Sequence, residues 1–276
     1  MTGLCLIERE NGMFPYFYLF GKLISVYALL SLAGVLAAGT FAYLYAKKAS
    51  LDVISMTSIL LVAVSAGWAG SHLTYALVNF QELKLFLSNL HKIPSFAVFL
   101  QYMQYLFGGA VYYGGLITGI LAGMLYGKKK KLDLDAYSDI GATAVPLFHG
   151  FGRIGCFLGG CCYGVECKFG FIYTQAAVEE ANGVRRFPIQ LAEAFLNFAL
   201  FFFLWRLLRK SRFSGRLLYL YLCIYAIIRF TLEFWRGDEA RGFLLGISTS
   251  QFISIFVFLF GLVMILFKNK QSVNSP

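Results

Sequence analysis

Apolar residues along this chain neither alternate nor recur in narrow stripes; they form long runs. A helix crossing the hydrocarbon of a bilayer needs roughly 20 mostly apolar residues. Seven runs of about that length follow one another, from about Val26 to Ala46, Val53 to Leu77, Phe107 to Tyr126, Ile140 to Tyr163, Leu191 to Leu208, Leu217 to Phe234 and Phe252 to Phe267. They predict an all-α membrane protein of about seven transmembrane helices. Its organisation is expected to be a single polytopic domain over residues 1–276, with a small external segment around 165–186. The residues before Val26 include Glu8, Arg9 and Glu10 and lack the cationic start and small-residue cleavage site of a signal peptide. A short amphipathic lead-in that stays attached is therefore expected.

Charge between the runs sets an orientation, because Lys and Arg are retained on the cytoplasmic side. Lys47 and Lys48 follow the first run, Lys128 to Lys131 the third, Arg206, Arg209, Lys210, Arg212 and Arg216 the fifth, and Lys268 and Lys270 the seventh. Each odd-numbered run thus exits into a basic segment, while the other connections are mixed in sign. The N-terminus is expected outside and the C-terminus in the cytoplasm. Composition agrees: 59% of residues are hydrophobic and only 14% charged, which excludes an ordinary soluble domain. The net charge of +10 follows from this topology and from attraction to anionic lipid heads, so the bilayer is the expected partner and nucleic acid need not be invoked.

Ionisable groups inside hydrocarbon are costly, which makes them the first functional candidates. Arg153 lies in the fourth run, four residues after His149, and Arg229 in the sixth. Tyr225, Arg229 and Glu233 are spaced four apart and share a helix face. Two guanidiniums within a bundle suit a phosphate, held by paired hydrogen bonds at any working pH. The abundant phosphates of a membrane are lipid heads. The structural alternative is that Arg229 pairs with Glu233 and only fixes packing. Gly150, Gly152, Gly155, Gly159, Gly160 and Gly164 crowd the fourth run; such residues either let helices approach closely or break the helix beside a cavity. Gly114, Gly115, Gly119 and Gly123 imply a close neighbour for the third run. Pro188, Gln190 and Glu193 read as a helix start. Six cysteines form no disulfide framework, and Cys156, Cys161, Cys162 and Cys167 with His149 match no standard zinc spacing. Neither a metal site nor a cofactor is assigned.

Together these residues resemble one family, the bacterial phosphatidylglycerol-prolipoprotein diacylglyceryl transferases. Gly152-Arg153-Ile154-Gly155 with Phe157 is similar to the family signature, and Gly164 falls where that signature ends. Tyr225, Arg229, Glu233, Phe234 and Arg236 resemble its late-helix motif. Pro188, Gln190, Leu191 and Glu193 are similar to its Pro-Ser-Gln-Leu-Tyr-Glu segment, Ser248 and Gln251 to its Ser-x-Gly-Gln motif, and Tyr27 to the tyrosine of its first span. The resemblance implies a reaction in the bacterial cytoplasmic membrane. The diacylglyceryl group of phosphatidylglycerol passes to the lipobox cysteine thiol of a prolipoprotein signal peptide, giving a thioether and releasing glycerol phosphate. It also implies roles: Arg153 and Arg229 stabilise the leaving phosphate, Tyr27 and Tyr225 orient the head group, and Gly152, Gly155, Gly164, Gln190 and Glu193 belong to the substrate site.

The chain departs from the family pattern at several positions. Tyr113 stands at the histidine of the His-Gly-Gly motif, in Tyr112-Tyr113-Gly114-Gly115, and His72 stands at an arginine of the second span. Cys156, Gly159 and Cys161 replace Asn, Asn and Glu of the signature. Tyr113 and His149 are both candidates for the base. Two other function classes stay open: a divergent relative acting on another acceptor, and a non-catalytic membrane protein that binds lipid or an anionic solute. No internal repeat of the kind common in transporters is seen.

Overall fold

The computed structural model describes residues 15–19, 21–210, 214–238, 243–244 and 246–274. The lead-in residues 1–14, with Cys5, lie outside them, as does Arg212. In chain order the elements are β1 (Tyr16–Leu19), β2 (Lys22–Ser25), α1 (Val26–Lys48), α2 (Val53–Val78), α3 (Phe80–Ser88), α4 (Phe96–Phe107), α5 (Tyr112–Lys129), α6 (Leu134–Gly159), β3 (Glu166–Ile172), β4 (Arg185–Arg186), α7 (Ile189–Arg209), α8 (Leu217–Leu232), β5 (Phe243–Leu244), β6 (Ile247–Ser248) and α9 (Thr249–Asn274). Five of the described helical segments are long and apolar enough to cross a membrane: α1, α2, α7, α8 extended to Trp235, and α9 up to Lys270. The bent pair α4 and α5 makes a sixth if it is one span. Helix α6, the expected fourth span, is not among them; it holds Asp135, Asp139, His149, Arg153 and an internal Pro146.

The chain divides into two compact units, Met1–Lys48 with Ser138–Pro276, and Ala49–Tyr137. In the second unit, Asp52 caps α2 by accepting from the Ser55 and Ile54 amides at 2.8 and 3.3 Å. Helices α2 and α5 then pack backbone to backbone. A Cβ at Gly115 would meet the Gly67 carbonyl at 2.9 Å, and one at Gly119 the Ala63 carbonyl at 2.9 Å, so the glycines of the third run do have the close neighbour their spacing implies. That run starts at Tyr112 rather than Phe107, because the chain turns by 90° between α4 and α5 across Gly108 and Gly109. The corner is tied to α2: His72 Nδ1 lies 2.8 Å from the Gly109 carbonyl, and the Val111 amide donates to the Ser71 carbonyl at 3.1 Å.

The first unit is organised by small residues and by polar groups turned inward. Gly34, Ala38, Ala42 and Ala46, spaced by four, form the buried stripe of α1; a Cβ at Gly34 would meet the Phe148 carbonyl and the Phe151 Cβ of α6 at 2.9 Å. Helix α7 buries Gln190, Glu193 and Asn197, none more than 1% exposed, and turns Phe195, Phe202 and Phe203 outward. This reverses the arrangement of a helix in water and suits one whose outer face meets lipid. Asp139 of α6 accepts from the amides of Gly215 and Leu217 and so satisfies the start of α8. Ser248 and Gln251 form a capping box for α9, the Gln251 amide donating to Ser248 Oγ at 3.1 Å and Gln251 Oε1 accepting from the Ser248 amide at 3.0 Å.

Among the described residues three antiparallel strand pairs accompany the helices: β1 with β2, β3 with β4, and β5 with β6. The first occupies Tyr16 to Ser25, the described part of the expected lead-in. The second occupies the expected external segment, where Phe157, Phe171 and Tyr173 meet edge to face and the Arg186 guanidinium lies 4.2 Å from the Tyr163 ring centroid.

Candidate functional site

One cluster of buried polar groups in the first unit draws on three helices. Helix α6 supplies His149 and Arg153, α7 supplies Gln190, Glu193 and Asn197, and α8 with the turn after it supplies Tyr225, Arg229 and Glu233. Glu193 is the junction. Its Oε2 lies 2.9 Å from Arg153 Nε and its Oε1 lies 3.6 Å from His149 Nε2. The His149 ring is 5.3 Å from the ring of Tyr225, which stacks on Tyr221 at 5.8 Å. One helical turn further along α8, Arg229 Nη2 pairs with Glu233 Oε2 at 2.7 Å and donates to Ser250 Oγ of α9 at 3.0 Å. Arg229 Nη1 is buried and has no hydrogen-bond partner among the described residues. A fully charged donor left over after its carboxylate is satisfied is ready for an anionic ligand.

The glycines divide by surroundings. Gly155 lets α1 approach: a Cβ there would meet the Cα and ring of Tyr27 at 3.1 and 3.2 Å. Gly152 and Gly159 have no such neighbour within 4 Å. Gly164 is a crossing point of chains, where a Cβ would lie 2.3 Å from the Phe187 carbonyl oxygen and 3.0 Å from that of Trp235. There Gly164 bridges to Arg236, whose side chain pairs with Asp238. Gln190 Nε2 donates to the Cys161 carbonyl at 2.7 Å, fixing the segment that leaves α6. Tyr113 belongs to the second unit, where it is buried on α5.

The end of α6 explains a cluster that residue spacing did not flag. Gly160 takes φ +70°, its amide bonds to the Phe157 carbonyl, and the Cys161 amide returns to the Cys156 carbonyl at 3.1 Å, which is a Schellman closure of the helix. The closure folds Cys161 back over Cys156. Cys162 follows in the left-handed region at φ 55°, uncommon for a residue with a Cβ. The sulfurs of Cys156, Cys161 and Cys162 all lie within 4.8 Å of one another, and Arg153 Nη1 is 3.9 Å from Cys156 Sγ. Cys167, on β3, and His149 are not in this cluster.

Comparison with known proteins identifies the family. Residues 15–267 match the family model of prolipoprotein diacylglyceryl transferase. The chain belongs to the prolipoprotein diacylglyceryl transferase family. A phosphatidylglycerol-prolipoprotein diacylglyceryl transferase of Clostridium tetani is 35% identical over 248 residues, 89% of this chain and 94% of that protein. The corresponding enzyme of Geobacter sulfurreducens is 32% identical over 270 residues, 94% of this chain and 96% of that protein. Transferase 2 of Clostridium perfringens is 39% identical over 158 residues, covering 56% and 61%. The positions that resemble the motifs of this diacylglyceryl transferase family, from Gly152 to Gly164, from Pro188 to Glu193 and from Tyr225 to Arg236, fall in the first unit together with Tyr27. What the motifs did not disclose is the sharing of Glu193 between Arg153 and His149. These groups lie 40 residues or more apart in sequence, and only the packing of α6 against α7 joins them.

Proposed function

We propose that the chain transfers the diacylglyceryl group of phosphatidylglycerol to the lipobox cysteine thiol of prolipoproteins. The observation that supports this most directly is the pair of buried arginines, Arg153 held by Glu193 and Arg229 held by Glu233, with Arg229 Nη1 left over for a ligand. The acceptor sulfur attacks the glyceryl carbon that bears the phosphate ester. A carbon–sulfur bond forms, the carbon–oxygen bond breaks, and its electron pair leaves on glycerol phosphate. Charge grows on the phosphate as that bond breaks, so fixed cations in a water-poor site lower the barrier, an electrostatic effect often worth several kcal/mol. The thiol proton goes to a base, for which His149 of the first unit and Tyr113 of the second are the candidates. Tyr27 and Tyr225 orient the head group, and Gln190 and Glu193 hold the walls, with Gly152, Gly155 and Gly164 allowing the chain to come close.

In this reading the protein spans the bacterial cytoplasmic membrane about seven times, α6 included, with its N-terminus outside and its C-terminus in the cytoplasm. The basic residues closing α1, α5 and α7 support that orientation. The whole forms one polytopic domain whose external segment is the β3–β4 strand pair. The family relationship does not favour another acceptor or a non-catalytic binder.

The test is transfer of labelled acyl chains from phosphatidylglycerol to a lipobox peptide in detergent, with Arg153→Ala and Arg229→Ala beside the native protein. Thioether product that both substitutions abolish supports the assignment. No product under conditions where the Clostridium tetani relative is active would overturn it.

A further inference from the structure

We propose that Cys156, Cys161 and Cys162 form a three-thiolate site for a thiophilic d10 cation of the Zn2+ class, whose open fourth position takes the acceptor thiol and holds it as thiolate. The inference rests on the transferase reading for the identity of that thiol; the site itself rests on geometry. The three sulfurs lie within 4.8 Å of one another, whereas a tetrahedral zinc ion with bonds of about 2.3 Å holds its sulfurs roughly 3.8 Å apart. A contraction of about 1 Å or less closes the site. The fold is already bent toward it: the Schellman closure at Gly160 returns Cys161 to Cys156, and Cys162 occupies a left-handed conformation. Strained backbone of that kind persists where a local requirement sustains it. Cys156 is buried, while Cys161 and Cys162 are half-buried, which leaves a way in for an ion and for a fourth ligand.

Cationic groups lie nearby as well, although Glu193 and Asp238 already pair with them. Three thiolates and an acceptor thiolate around a dication carry a net charge of two minus, and two guanidiniums are close enough to act on the cluster. Arg153 Nη1 lies 3.9 Å from Cys156 Sγ, and Arg236 acts electrostatically on Cys162. Arg153, one of the two arginines of the proposed phosphate site, thus also lies against the sulfur cluster.

The chemistry balances without a redox partner. On uptake of the cation the three site thiols release their protons to water, and the acceptor S–H then gives its proton to a base or to water while each sulfur keeps its electron pair, because a coordinating thiol is deprotonated outright. That pair forms the bond to the glyceryl carbon as the carbon–oxygen bond breaks, and the metal keeps its oxidation state. The role expected of a dedicated base in the first unit is thereby met by coordination.

The test uses the full chain, purified in detergent under reducing conditions and freed of metal by a chelator. Co2+ is added first, with no substrate present. The expected result is uptake of about one Co2+ per chain with visible bands of tetrahedral geometry and near-ultraviolet thiolate bands, all lost in a Cys156→Ala, Cys161→Ala, Cys162→Ala triple variant that keeps its gel-filtration profile. Each single Cys→Ser variant should weaken the thiolate bands. In the transfer assay, metal-free protein should fall to the level of the triple variant and recover with Zn2+. Absence of cysteine-dependent Co2+ bands in folded native protein overturns the site, and does so whether or not transfer is seen. Bands without any effect of chelation on transfer overturn the role in thiol activation and leave the transferase reading standing.

Discussion

The carboxylate of Glu193 lies between two cationic or potentially cationic partners on the neighbouring helix, 2.9 Å from Arg153 Nε through one oxygen and 3.6 Å from His149 Nε2 through the other. Both ends of the arginine pair are almost completely buried, so neither charge has water to fall back on. Glu193→Gln would leave Arg153 without its counter-charge, a loss of about 3 kcal/mol or more. A lowered Tm in detergent, with part of it regained in the double variant Arg153→Leu, Glu193→Leu, is the expected outcome. A Tm unchanged in Glu193→Gln would show that the pair contributes little.

Arg229 divides its nitrogens: Nη2 serves Glu233 and Ser250, and Nη1 is the one without a partner. Lysine carries its three donors on one nitrogen and lacks the fork that lets a guanidinium reach partners on two sides. Arg229→Lys should therefore keep stability within about 1 kcal/mol of the native protein and lose transfer by about 100-fold. The comparison of melting with turnover under saturating phosphatidylglycerol separates the two effects.

Two glycines of one motif should respond in opposite ways. A methyl at Gly164 meets two backbone carbonyl oxygens, neither able to swing aside, and Gly164→Ala should cost about 1–3 kcal/mol. Gly152 has open space around its Cβ direction. Gly152→Ala should melt like the native protein and raise KM for phosphatidylglycerol if the space is where lipid binds. Urea titration in detergent and initial rates at varied lipid content check the pair.

The start of α9 rests on reciprocal bonds between Ser248 and Gln251. Ser248→Ala removes the acceptor for the Gln251 amide and should cost about 1 kcal/mol, whereas Ser248→Thr keeps it. Faster amide exchange confined to the first turn of α9 in the alanine variant is the accompanying sign.

The long apolar runs were legible because lipid demands them: α1, α2, α7 and α8 begin and end within a few residues of the apolar stretches that announce them, and α9 begins three residues before its stretch and continues to Asn274 beyond it. Helices α3 and α4 were not, since they are short and the 90° corner at Gly108 and Gly109 lies inside what reads as continuous apolar sequence. The arginines stood out by the cost of charge in hydrocarbon. Their partners divided by distance: Glu233 is four residues from Arg229 and was visible as a face, but Glu193 reads as a helix start because its partners are on another helix. Asp139 is hidden in the same way, 76 residues from the Gly215 amide it satisfies. The cysteines were noticed but set aside, because standard ligand spacing assumes regular elements, while here a left-handed turn brings positions 156 and 161 together.

The two buried ion pairs also differ in when they can form during synthesis. Arg229 and Glu233 lie one turn apart on the same stretch of chain, so α8 can leave the ribosome and enter lipid already neutralised. Glu193 has no such companion on α7; its partner Arg153 is on α6, which is made earlier. Glu193 therefore gains its counter-charge only once α7 packs beside α6, and the order of the helices along the chain means that Arg153 is already made when Glu193 arrives.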